Sequence, residues 1–196
     1  MTLSQEQAYA YLLQLFADLL KFPDEELYDQ LLNGDIDSRI NKLGAAAGKE
    51  IRVDFRPEIG SYDSLVHDYN NCFLGFSGSA ALPVESLYKV WTVDQSYHLP
   101  YKNEKGHLMS DSALHIRHIL QELQLEIPPE YELMPDHLVI LLELKAYFLA
   151  NGLFEEAIQF CREHLDWLDE YYSILKAKQP QSFYLKVIRK LNEILH

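Results

Sequence analysis

MPDHLVILLELKAYFLANG, residues 134–152, is the most hydrophobic stretch of helical spacing in the chain, and its reading decides the fold class. Leu138, Leu141, Leu142, Leu144, Lys145 and Phe148 recur at helical intervals, and Asn151-Gly152 supply a C-terminal stop. Pro135 is expected in the first turn, where its missing N–H costs nothing. The run falls short of the ~20 apolar residues of a membrane span, so it predicts a central helix of a soluble core.

Working outward, the same helical period returns on both sides. Ser4 and Gln7 form a capping box ahead of Ala8, Tyr11, Leu12, Leu15, Phe16 and Leu19. Phe22-Pro23 stops that helix. A short acidic helix is expected over Asp24 to Leu32, ended by Asn33-Gly34, and another from Ser38 to Gly48. Ile51, Val53 and Phe55 alternate, which suggests a short extended piece. Ser61 caps a helix with Leu65, Val66, Tyr69, Cys72 and Phe73 facing inward, and Gly75 is its natural end. Glu85 to Trp91 reads as a short helix, and Ser96 to Lys105 as a loop. Ser110 or Asp111 starts the next helix, with Ala113, Ile116, Ile119, Leu120 and Leu123 on its apolar face. Past Gly152, Phe154 to Leu175 reads as one long helix or two, with Phe160, Leu165, Trp167, Leu168 and Tyr171 as core residues. A last helix carries Tyr184, Ile188, Leu191 and Leu195. No internal repeat and no long flexible linker divides the chain. The expectation is an all-α fold: a single globular helical domain over residues 1–196, with roughly eight to ten helices.

Composition limits the function. The 196 residues carry a formal net charge of −13. Phosphate binding needs clustered Lys and Arg, so nucleic acid is not an expected partner. An anionic membrane surface is equally unsuited. The charge fits a basic partner, or solubility alone. The two cysteines, Cys72 and Cys161, form no CxxC pair and read as thiols of a reducing compartment. The N-terminus lacks a basic region followed by an apolar one, so a cytoplasmic protein without an export signal is expected.

Catalytic readings find little footing. Gly44-Ala-Ala-Ala-Gly48-Lys49 has three residues between its glycines and Glu50 after the lysine, so it fails as a phosphate loop. His115 and His118 share a helical surface. The Glu104/His107 and Glu193/His196 spacings, in a loop and at the chain end, do not suit a di-metal bundle. No metal and no cofactor is expected. No Gly-x-Ser-x-Gly elbow occurs, so a metal-dependent or nucleotide-hydrolysing enzyme is the weaker class.

Binding is better supported. YNNCFLGFSGSAALPVESLY, residues 69–88, joins a helix end to a loop of small residues that a foreign chain could approach closely. Asp136-His137 precedes the apolar helix. A carboxylate at a helix start is stabilised by the dipole, and could equally grip a guanidinium. His137 beside it could titrate near neutrality.

Tyr69-x-x-Cys72-Phe73-x-Gly75, Pro83, Glu85-Ser86, Tyr88 and Pro135-Asp136-His137-Leu138 together resemble the signature of the TorD/DmsD/NarJ-type redox-enzyme maturation chaperones. Phe160, His164-Leu165 and Trp167, and Asp111-Ser112-Ala113-Leu114, resemble two further segments of that family. Two departures stand out: Met134 replaces the frequent Glu before Pro-Asp-His, and Cys72-Phe73 replaces the usual Leu-Phe. The resemblance implies binding without catalysis. Its members hold the N-terminal signal, usually twin-arginine, of a molybdopterin oxidoreductase until the cofactor is loaded, and some touch the enzyme body. It implies that Asp136 and Glu85 meet arginines, with His137 beside them. Tyr69, Phe73, Pro83 and Tyr88 would line a groove, and Gly75 and Ser86 would allow close approach. The alternative within the family is a NarJ-like assembly factor for a client with a remnant signal. Both a monomer and a domain-swapped dimer remain open, with Ser96 to His107 as a hinge.

Overall fold

A computed structural model describes residues 3–74, 80–98 and 100–195. Nine α-helices run through the described residues: α1 Gln5–Leu19, α2 Glu25–Asn33, α3 Asp35–Ala46, α4 Tyr62–Phe73, α5 Asp111–Glu122, α6 Leu138–Ala150, α7 Phe154–His164, α8 Leu168–Lys178 and α9 Phe183–Leu195. Three short 3-10 turns lie between them, and no strand occurs among the described residues. The fold is all-α, as the periodicity requires.

α6 is the centre because almost every side chain it carries is apolar. Leu138 to Leu142, Leu144, Ala146 and Phe148 are all buried. It packs chiefly on α1 and then on α7, while α1 also covers α3. α8 and α9 close a second layer, and α4 lies on α9. A helix with a single apolar stripe would lie on the surface; one apolar nearly all round must be covered on several sides.

Local chemistry sets most boundaries. The Ser4 hydroxyl accepts the Gln7 N–H at 3.1 Å, and Gln7 Oε1 accepts the Ser4 N–H at 3.1 Å, so the capping box opens α1. Asp24 caps α2 through the Leu27 N–H at 2.8 Å, and Gly34 takes the left-handed conformation (φ 83°) that ends it. Ser61 caps α4. Asp68 on α4 accepts the Ser182 hydroxyl at 2.9 Å and the Phe183 N–H at 2.8 Å, which ties α4 to the start of α9.

Four expectations are changed, the first being α3, which starts at Asp35 and not at Ser38 and ends at Ala46. Ile51, Val53 and Phe55 are buried in alternation, but they pair with no strand. Side chains of α3 replace a partner strand: Asn41 binds both the N–H and the carbonyl of Val53, at 2.9 and 3.0 Å, and Asp37 accepts the Phe55 N–H at 2.9 Å. Glu85 to Trp91 forms only a 3-10 turn, Glu85–Leu87. Its later backbone groups bond elsewhere, with the Trp91 N–H on the Glu104 carbonyl and the Gly106 N–H on the Leu87 carbonyl. Finally, α6 starts at Leu138 with His137 as N-cap, so Pro135 lies before the helix and not in its first turn. Phe154 to Leu175 resolves into two helices, α7 and α8.

Candidate functional site

The two stretches singled out in the sequence lie against each other. Val84 and His137 form an isolated antiparallel bridge. The Leu138 N–H donates to the Pro83 carbonyl at 2.8 Å, and the Glu85 N–H to the Asp136 carbonyl at 3.1 Å. The Asp136 carboxylate accepts the Ser86 N–H at 2.6 Å and also the Ser86 hydroxyl. Asp136 therefore caps the Glu85–Leu87 turn and not α6, whose first free N–H groups it was expected to meet. The role at α6 falls to His137, whose Nδ1 accepts the Val139 N–H at 3.3 Å.

The other two motif segments converge on the same junction. His164, at the end of α7, places Nδ1 at 2.9 and 3.1 Å from the Glu85 carboxylate oxygens. Lys89 Nζ lies 3.0 Å from Glu85 and 2.7 Å from Asp166. Glu85 is fully buried, and these two partners offset the cost of removing its charge from water. Trp167 stacks on Tyr88 with ring centroids 5.0 Å apart and planes at 14°. The Tyr88 hydroxyl donates to the Leu82 carbonyl at 2.9 Å, which closes the turn. From α5, Asp111 accepts the Thr92 hydroxyl, and His115 Nδ1 lies 3.0 Å from His164 Nε2.

Tyr69 and Phe73 stand apart from this junction. They belong to an aromatic cluster with Tyr184 of α9: Tyr69 and Phe73 lie 4.9 Å apart, and Phe73 and Tyr184 also 4.9 Å. Gly75 falls outside the described residues. Among the nominated residues that are described, Tyr69, Phe73, Pro83, Glu85, Ser86, Tyr88, Asp136 and His137 are all buried. Glu85 and Tyr88 nevertheless border a cavity of 540 Å³ that also meets Lys89, His115, Glu163 and Asp166. A larger cavity, 1240 Å³ beside Gly48 to Asp54, touches none of the motif residues.

Burial sets the electrostatics. It raises the Asp136 carboxyl above its ordinary value, against the lowering effect of the Ser86 bonds. It pushes His137 down to about 3, so this imidazole is neutral at physiological pH and does not titrate near neutrality as the sequence suggested. His115 is lowered, first by burial and then by the adjacent His164. One oxygen of Asp136, Oδ1, is buried with no hydrogen-bond partner.

Sequence reading did not link His164 and His115 to Glu85. The Glu85–His164 pair is separated by 79 positions, and no local spacing betrays it. The family pattern did single out His164-Leu165, without assigning a partner.

The junction joins four separated motifs within an all-helical fold. The model of the family described as "Nitrate reductase delta subunit" matches residues 38–173, and the chain belongs to that family of redox-enzyme maturation chaperones. A crystal structure from Archaeoglobus fulgidus, of a candidate redox enzyme maturation protein, has the same fold. The TM-score is 0.60 at 17% identity, over 95% of this chain and 93% of that one. No curated protein gives a match to the sequence. Among the described residues, no helix is long and apolar enough to cross a membrane.

Proposed function

We propose that this protein is a cytoplasmic, non-catalytic chaperone that binds the N-terminal signal of a molybdenum-containing oxidoreductase and holds it during cofactor insertion. Membership of the maturation family supports the client class. The observation that carries the binding site is the zipped junction of Pro83–Ser86 with Asp136–Leu138, where two buried carboxylates, Glu85 and Asp136, meet a turn beside an open cavity. Tyr88 and Glu85 border that cavity directly. Asp136, Ser86, His137 and Pro83 hold the turn that carries Glu85, and Tyr69 and Phe73 are assigned to a separate aromatic part of the groove. Gly75, outside the described residues, is assigned to close approach of the bound chain on the family pattern alone. The partnerless Asp136 Oδ1 is an acceptor that an arginine could meet if the turn yields.

A second reading is favoured by the family description: a NarJ-like assembly factor whose client carries a remnant tail in place of a functional export signal. Calorimetric titration with a twin-arginine signal peptide and its Lys-Lys variant separates the two. The first reading expects micromolar binding that weakens for the variant, and a tenfold or greater loss in Asp136→Ala, since charge-assisted bonds are worth about 1.5–3 kcal/mol. No binding of either peptide, with capture of the client's own N-terminal tail, supports the assembly factor. Wild-type affinity in folded Asp136→Ala removes Asp136 from the site.

A further inference from the structure

His115, Glu163 and His164 bring two ring nitrogens and a carboxylate within 4.8 Å of one another at the meeting of α5 and α7. The two nitrogens, His115 Nδ1 and His164 Nε2, face each other at 3.0 Å. Two bare lone pairs at that distance repel, so either a proton or a cation must lie between them. The tautomer of His164 follows from its other neighbour. A carboxylate beside an ammonium only accepts, so His164 Nδ1 carries the hydrogen that meets Glu85, and in the neutral ring Nε2 keeps its lone pair. A carboxylate behind a histidine ligand is the usual means of fixing ring orientation and raising basicity at a metal. Glu163 has the same kind of support: Gln159 Nε2 donates to its carboxylate at 2.8 Å.

We propose that His115, Glu163 and His164 form a divalent-cation site of borderline softness, with Glu85 and Gln159 as positioning residues. At metal–nitrogen bonds of about 2.0–2.1 Å, nitrogens 3.0 Å apart subtend roughly 91–97° at the ion, between octahedral and tetrahedral values. His115 and Glu163 are exposed, so the carboxylate can swing inward and a hydrated ion can enter. Two imidazoles and one carboxylate suit Zn²⁺, Co²⁺ or Ni²⁺ better than Mg²⁺ or Ca²⁺. Lys89 does not oppose the ion with a free charge, because it is paired with Glu85 and Asp166. A bound ion would pin α5 to the end of α7 and to the Glu85 turn. The site borders the same cavity as the proposed peptide site, but it does not rest on that reading and is tested with the ion alone.

The test is calorimetric titration of Zn²⁺ alone into the tag-free, chelator-stripped full chain, paired with Co²⁺ absorption and thermal unfolding. The expected result is one saturable Zn²⁺ per chain and a raised Tm. Affinity should fall at least tenfold in His115→Ala and in Glu163→Gln, and 10–100-fold in Glu85→Gln. It should be unchanged in His67→Ala on α4. His115 and Glu163 are surface residues, so their variants keep the fold and carry the test even if Glu85→Gln does not. Co²⁺ should give visible ligand-field bands without a thiolate charge-transfer band. A thiolate band, absence of saturable binding, or equal binding in His115→Ala overturns the proposal.

Discussion

At the residue scale, His137 is a buried neutral imidazole that caps α6, with a folded pKa of about 3 against an ordinary 6.5. A lowered histidine pKa means that the unfolded chain binds a proton which the fold excludes. Its contribution to stability is therefore complete above pH 6.5 and is lost as the pH falls toward 3, by about 1.4 kcal/mol per unit. Between pH 6.5 and 5 this residue alone should remove about 2 kcal/mol. His137→Asn can still cap and does not titrate. Its urea-unfolding free energy should depend less steeply on acid than the wild type's, and equal slopes would refute the assignment. Asp136→Ala leaves the buried Ser86 N–H without its acceptor and should cost about 1–3 kcal/mol of stability. Asp136→Asn keeps an acceptor at that position and should lose less. Equal losses in the two variants would show that the negative charge, and not the acceptor, matters there.

At the element scale, the Ile51–Phe55 segment shows how side chains can replace a missing strand. Asp37 and Asn41 take its backbone groups, and Gly44 lets Ile51 lie against α3. A Cβ at Gly44 would fall 2.1 Å from Ile51 Cγ2. Alanine gains about 1 kcal/mol of helix propensity, but overpacking costs about 1–3 kcal/mol, and Ile51 is itself buried. Gly44→Ala is expected to lower the Tm by a few degrees in a thermal melt. A higher Tm would mean that the segment yields freely. The glycines that failed as a phosphate loop thus have a packing explanation in Gly44, and a positive φ of 70° explains Gly48. The junction between Pro83–Ser86 and Asp136–Leu138 is the same device in another place. Neither segment is a strand, yet a bridge, two backbone bonds and one carboxylate hold them in register.

At the scale of the whole molecule, the net charge of −13 should speed encounter with a basic signal and make binding salt-sensitive. Affinity for a twin-arginine peptide, measured between 50 mM and 500 mM salt, is expected to fall steadily. Affinity that ignores salt would assign recognition to apolar contacts instead. Glu85 sits where these scales meet. It is fully buried, is paired with Lys89 and His164, and borders the cavity shared with α5 and α7.

The sequence by itself determined the all-α class, the central helix and the caps Ser4 and Ser61, because periodicity and capping are local: Ser4 needs only Gln7, and α6 declares its burial by being apolar nearly all round. It also marked the motif residues, through type and order alone. Only the tertiary structure decided what they touch. Asp136 turns from α6 to Ser86, His137 becomes neutral, Tyr69 and Phe73 separate from Tyr88, and His164 finds both Glu85 and His115. The physical reason is range: a cap acts within one helical turn, whereas a buried carboxylate takes whichever donors the packing of distant helices brings to it.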